Sequence, residues 1–85
     1  MNPYEVIFHP FVTEKTMMIM EKDNALQFAV SMSANKKEIK EALEKMFDIE
    51  VVKVSTRITK KGKIAVAKLS PDYEAEDIGM RIGIF

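Results

Sequence analysis

The chain has no cysteine and no tryptophan, and only one histidine and three glycines among its 85 residues. Without cysteine there can be no disulfide, no thiol nucleophile and no thiolate metal site. With His9 as the lone imidazole, a zinc centre lacks its usual ligands, and no metal or cofactor is expected. A nucleophile–histidine–acid triad would have to join His9 to Ser31, Ser33, Ser55 or Ser70, and nothing in their spacing supports one. Gly62, Gly79 and Gly83 are too scattered to build a phosphate-cradling loop. No apolar run reaches the ~18 residues of a membrane span. The N-terminus has no charged region leading into an apolar stretch and a small-residue cleavage site. A cytosolic protein without membrane insertion is the expectation. Net charge is missing too, since 13 basic residues balance 13 acidic ones.

That balance is uneven along the chain. Residues 53–69 carry Lys53, Arg57, Lys60, Lys61, Lys63 and Lys68 and no acid, while the segments on either side are net acidic. Contact with a polyanion follows local potential rather than net charge, so this strip is a candidate phosphate surface. A solvated hairpin face would carry the same residues. Most of the carboxylates lie beside lysines on helical faces and read as solvated surface rather than a catalytic pair. The length fits one small domain over residues 1–85. Its core is marginal, because a chain this short buries only about 60% of its unfolded surface. The apolar share of 47% is that of a folded domain.

The elements follow from caps and periodicity. Pro3 and Pro10 punctuate the start, with Tyr4 to Phe8 read as extended. Thr13 is a helix N-cap and Glu14 places negative charge in the first turn, so a helix is expected over 14–22, ending at the turn-favouring Asp23-Asn24. Of Met17, Met18 and Met20, at least two are assigned to the core. Residues 25–30 alternate, with Leu26, Phe28 and Val30 on one face, as a strand does. Asn35 with Glu38 forms a capping box, with Ser33 as the rival cap. Ile39, Ala42, Leu43, Met46 and Phe47 then make one stripe of an amphipathic helix. Residues 51–58 alternate as a strand, with Val52, Val54 and Ile58 assigned to one face and Lys53, Ser55 and Arg57 to the other. A basic loop over 59–63 and a return strand over 64–69 complete an antiparallel hairpin. Ser70-Pro71-Asp72 ends it, and a short helix is expected over 74–82, weakened by Gly79.

The predicted class is α+β, a two-layer, ferredoxin-like split β-α-β arrangement. It has a small, mostly antiparallel sheet of three to four strands with helices on one face. The strands at 25–30 and 51–58 are expected to run parallel, and Lys53, Arg57 and Lys68 to point away from the helices. Lys61-Gly62-Lys63-Ile64-Ala65-Val66 faintly matches an RNA-recognition-motif strand, but the positions that would stack on bases hold Lys63, Ala65 and Leu69. Base stacking on the sheet is therefore not expected, and RNA contact would run through phosphate, sugar and shape.

Taken in order, these segments resemble the family of large-subunit ribosomal proteins numbered twenty-three, in its compact archaeal form. Pro10, Thr13, Glu14 and Lys15 match the start of its first helix. Lys36, Ile39, Lys40, Ala42, Phe47, Val51, Val54 and Thr56 match its second helix and the strand that follows. Lys68-Leu69 closes the basic return strand, and Gly83-Ile84-Phe85 is similar to the family's ending. The chain departs from the pattern at Ser55, where Asn is usual, at Ile64–Ala67, where a second basic residue and an aromatic are usual, and at His9, which replaces a basic residue. The loop at 59–63 lacks the long extension of bacterial members.

The resemblance implies a structural constituent of the large ribosomal subunit, not an enzyme, with no small-molecule substrate. It would bind large-subunit rRNA near the polypeptide exit tunnel, beside neighbouring ribosomal proteins. It would also contribute to a docking surface for the signal recognition particle, chaperones or the translocon. The RNA contacts are assigned to Lys36, Lys40, Lys53, Arg57, Lys60, Lys61, Lys63 and Lys68, with Lys15 as a further candidate. Glu14, Phe47 and Asp48 match docking positions, although Glu14 also suits the helix dipole and Phe47 the core. The competing readings are a stand-alone ferredoxin-like interaction or regulatory domain and a small phosphate-ester or acyl-phosphate hydrolase. The hydrolase would need a phosphate loop at the first strand–helix junction, where Ser31-Met32-Ser33-Ala34 offers neither Gly nor Arg.

Overall fold

Local caps define where each helix begins. The computed structural model describes residues 2–84. Asn2 accepts a hydrogen bond from the Tyr4 amide and Pro3 presets the first φ, so Pro3–Val6 forms one helical turn, α1. The Tyr4–Phe8 segment is thus not extended throughout: only Ile7–Pro10 is a strand, β1. Thr13 and Thr16 cap each other reciprocally at the start of α2, Glu14–Asp23. Helix α3, Lys36–Phe47, takes Asn35 rather than Ser33 as its cap, with the reciprocal Glu38 bond in place. Helix α4 spans Ala75–Ile82 and ends with Gly83 at φ 89°. There the Ile84 amide donates to Gly79 O at 2.8 Å and the Gly83 amide to Met80 O at 3.3 Å, which is a Schellman closure. Phe85, the last residue of the Gly83-Ile84-Phe85 ending, lies outside the described residues.

The remaining strands are β2 (Ala25–Val30), β3 (Val51–Thr59) and β4 (Gly62–Leu69). The sheet order is β1-β2-β4-β3, and every neighbouring pair is antiparallel. β2 and β3 both oppose β4, so they run parallel to each other with the return strand inserted between them. This is the split β-α-β arrangement, an α+β fold. Pro10, which cannot donate to a ladder, sits in the edge strand β1.

The hairpin is tighter than its composition implies. Thr59 pairs with Gly62, leaving only Lys60-Lys61 at the tip, so the basic segment over 59–63 is mostly strand. Gly62 takes the positive φ of 130°, which spares both lysines that conformation. Thr59 Oγ1 donates to Gly62 O and accepts from the Lys61 amide, bracing the turn.

The facing of β3 also differs from a simple alternation. The register jumps between Val51↔Leu69 and Lys53↔Lys68, so Val52 is an extra residue in a β-bulge. Val51 and Val54 are therefore the buried pair, while Val52 and Ile58 are 50% and 63% exposed. Beyond the bulge Lys53, Ser55 and Arg57 do share the opposite face.

The core lies between the sheet and the helices. Phe28, Leu26, Ile39, Leu43, Leu69, Val6 and Val51 are its largest fully buried side chains. Phe28 stacks on Phe47 with ring centroids 5.7 Å apart. Met20 is buried and Met17 half-buried, while Met18 is exposed, as the stripe on α2 requires. One side chain ties the far end together. Asn24 Nδ2 donates to Tyr73 O at 2.8 Å, and Asn24 Oδ1 accepts from the Ala75 amide at 2.7 Å. Glu74 provides no side-chain cap for α4, so Asn24 caps it from the end of α2.

Candidate nucleic-acid interface

The basic residues fall into three groups. Lys53 and Lys68 stand directly opposite each other across β3 and β4, and Arg57 follows on the same face one further pair along from Ser55. All three are exposed. Like charges in directly opposed positions repel, and a bound polyanion would relieve that repulsion. At ~3.3 Å per residue, Lys53 and Arg57 are roughly 13 Å apart along the strand. Lys60 and Lys61 extend this strip at the exposed hairpin tip.

The other lysines belong elsewhere. Lys63 pairs with Ile58 and Val30, on the α3 side of the sheet. It is half-buried, and its Nζ donates to Ala34 O at 2.7 Å, clamping the hairpin base to the residue before the Asn35 cap. Lys36 and Lys40 are exposed on the first turns of α3, near that clamp. The eight candidate residues thus form a sheet-face strip, a tip and a separate helical group, with Lys63 joining hairpin to helix.

The sheet face opposite α3 is not uniformly polar. Phe11 donates its amide to Gln27 O at 2.9 Å, and the Arg57 guanidinium sits over the Phe11 ring, 5.8 Å from its centroid. Phe11, Lys15, Gln27 and Arg57 surround one surface pocket, so Lys15 stands with Arg57 rather than apart from the basic set. Gln27 is only 4% exposed, and its buried Oε1 has no hydrogen-bond partner among the described residues. Beside this pocket a hollow of about 570 Å³ opens between β1 and the hairpin end, with Phe8, Phe11, Met32 and Ile64 among its walls and Lys60, Lys61 and Lys63 around it. The aromatic part of this surface escapes a reading of the basic strip alone, because Phe8 and Phe11 lie some fifty residues earlier in the chain. The alternation of Phe8, Pro10 and Phe11 around His9 is too irregular to assign their faces.

The three candidate docking residues are placed differently. Glu14 is exposed in the first turn of α2, and Met18, four residues on and on the same face, is 69% exposed. Phe47 is half-buried and packed against Phe28, which supports its core role. Asp48 is exposed at φ 53° and terminates α3. Arg81 donates to Phe47 O there, supplying a cation at the negative end of the helix. No hydrogen bond joins Glu14 to Phe47 or Asp48 among the described residues.

Catalytic geometry has little to build on. His9 is exposed and its Nδ1–H donates to the adjacent Pro10 O at 2.9 Å, and among the described residues no hydrogen bond joins it to a serine. Among the described residues no group of three or more His, Cys, Asp or Glu side chains could hold a metal ion, and no helix is long and apolar enough to cross a membrane.

Comparison with known proteins gives a consistent result. The family model described as ribosomal protein L23 matches residues 5–76. The large ribosomal subunit protein uL23 of Methanothermobacter thermautotrophicus is 42% identical over 86 aligned positions, covering all of both chains. That of Picrophilus torridus is 44% identical over 81 positions, covering 95% of this chain and 99% of its own. That of Methanobrevibacter smithii is 42% identical, again over the whole of both chains.

Proposed function

The chain belongs to the ribosomal protein L23 family, and from that premise we propose that it anchors to large-subunit rRNA through its basic hairpin. It is a structural constituent of the large ribosomal subunit, not an enzyme, and so works on the ribosome in the cytoplasm among rRNA and other ribosomal proteins. The observation that carries the RNA reading is the strip formed by Lys53, Arg57 and Lys68 with the tip residues Lys60 and Lys61. Five exposed cations with no acid in their own segment suit a phosphate backbone. Lys36 and Lys40 make a second, helical contact. Lys63 acts mainly by holding the hairpin in place.

The same proposal puts the molecule at the rim of the polypeptide exit tunnel. Glu14 and Asp48 then belong to surfaces left free for the signal recognition particle, chaperones or the translocon. Their exposure supports this reading, as does Asp48's position, since a negative charge at a helix C-terminus is locally unfavourable. Phe47, the residue before Asp48, is packed against Phe28.

The test is binding of the purified chain to large-subunit rRNA fragments across a salt series. Selective binding with a steep salt slope is expected. Changing Lys53, Lys60, Lys61 and Lys68 to Ala is expected to flatten the slope by about one for each residue that meets a phosphate. Lys63 is left intact so that the hairpin clamp survives. A folded wild-type chain that binds every fragment alike would overturn the proposal.

A further inference from the structure

We propose that the hollow between β1 and the hairpin tip receives an unpaired base of the large-subunit rRNA, with Phe8 as its stacking platform. The inference rests on the rRNA reading above and adds a kind of contact that the basic strip does not supply. Phe8 is 59% exposed although it lies on a strand beside the buried Ile7, and Met32 across the hollow is also 59% exposed. Two large apolar side chains left in water around one concavity of about 570 Å³ form a surface that gains from being covered.

Charge identifies the occupant. The hollow is lined by Lys60, Lys61 and Lys63 together with His9, and among the described residues no carboxylate lines it. Such an edge repels a basic peptide and suits an anionic backbone, while the floor of Phe11 and Ile64 suits a flat apolar face. A nucleotide has both parts: its base can enter the hollow while its phosphate meets the tip lysines. The adjoining stack of Arg57 on Phe11 extends the same pattern of cation and aromatic ring. Sequence-tolerant binders of unpaired strands combine these features, a basic track with aromatic platforms. The strand positions that stack on bases in RNA-recognition motifs remain without aromatics here. The platform comes instead from the edge strand.

The experiment uses the full chain and the rRNA fragment it selects in the salt series. Phe8→Leu keeps the apolar volume but removes the ring, and Phe8→Tyr keeps the ring. Because Phe8 is exposed, both are expected to unfold at the wild-type temperature. Phe8→Leu is expected to weaken binding roughly ten-fold without changing the salt slope, while Phe8→Tyr binds as the wild type does. Base-specific chemical probing is expected to show one unpaired base that the wild type protects and Phe8→Leu exposes, with backbone protection retained. Wild-type affinity and an unchanged footprint for Phe8→Leu would overturn the inference while leaving the basic anchor standing, and would give the hollow to a neighbouring protein. If the wild type itself selects no fragment, both readings fall together.

Discussion

Asn24 sits at φ 54° at the end of α2, a left-handed conformation that Asn tolerates better than most residues. Its side chain bonds Tyr73 O and the Ala75 amide, and its carbonyl accepts from the Leu69 amide at 3.0 Å. One residue therefore joins the ends of α2 and β4 to the start of α4. Asn24→Gly keeps the backbone conformation and removes only the side-chain bonds, so a loss of about 2 kcal/mol is expected. Asn24→Ala adds the left-handed penalty and should lose about 3 kcal/mol. Urea unfolding of the two variants separates these contributions. Gln27 presents the opposite case. Its buried Oε1 has no partner among the described residues, so Gln27→Met, of similar shape, is expected to raise stability by about 1 kcal/mol. The adjoining cavity of about 10 Å³ is at the lower limit for one water. A loss of stability in Gln27→Met would mean that a water satisfies the oxygen there. Asn24 is readable in the sequence only as a turn residue. Its partners lie 46 to 51 positions away and no local pattern reveals them.

At the scale of elements, what the sequence discloses follows the strength of local signals. α3 has a complete capping box and an unbroken apolar stripe, and its start and end both match the pattern. β2 is equally legible from alternation, and the hairpin is legible in outline from Gly62, although its strands run on to leave only Lys60-Lys61 at the tip. The bulge at Val52 is not, because an extra residue appears only once β3 is registered against β4. The single turn α1 was hidden for another reason: four residues are too few for periodicity, and only the Asn2-Pro3 cap marks them. Two elements carry local conflicts that function can explain. α3 ends on Asp48, where Gly would suit the positive φ better and remove a charge opposed to the helix dipole. Asp48→Gly is expected to stabilise the free chain by roughly 1 kcal/mol, measured by thermal unfolding, while weakening exit-site factor binding to ribosomes that carry it. In the β3–β4 hairpin the opposed Lys53 and Lys68 repel. Lys68→Glu should turn repulsion into attraction and gain roughly 0.5 kcal/mol in the free chain. The same change should reduce rRNA affinity and flatten its salt slope. A variant that gains stability and keeps full affinity would remove Lys68 from the RNA face.

For the whole molecule, the distribution of surface chemistry matters more than the net charge of zero. The sheet face and hairpin tip concentrate cations, and Phe8 and Phe11 add rings at their margin. The exposed side of α2 offers Glu14 and Met18 instead. The order of the sequence makes the basic strip visible, because its members are close in the chain. The aromatic margin depends on the pairing of β1 with β2, which brings residues 7–10 beside 28–30. A fold of this size has a small core, so a ligand that binds only the folded state should contribute noticeably to its stability. At a free rRNA concentration one hundred times the dissociation constant, that contribution is about 2.7 kcal/mol. For a domain of this length it corresponds to a rise in Tm of roughly 10–20 °C. Six to ten phosphate contacts would lose ~10³–10⁵ in affinity between 50 and 200 mM salt, so the rise should largely disappear over that range. The Tm of the chain alone should move little, since its opposed charges are few and exposed. Thermal unfolding with and without the selected fragment, at both salt concentrations, checks this. A Tm that is independent of RNA at low salt would favour a stand-alone interaction domain. A rise that persists at high salt would shift the binding from phosphate to stacking and shape, and would enlarge the share carried by Phe8 and its hollow.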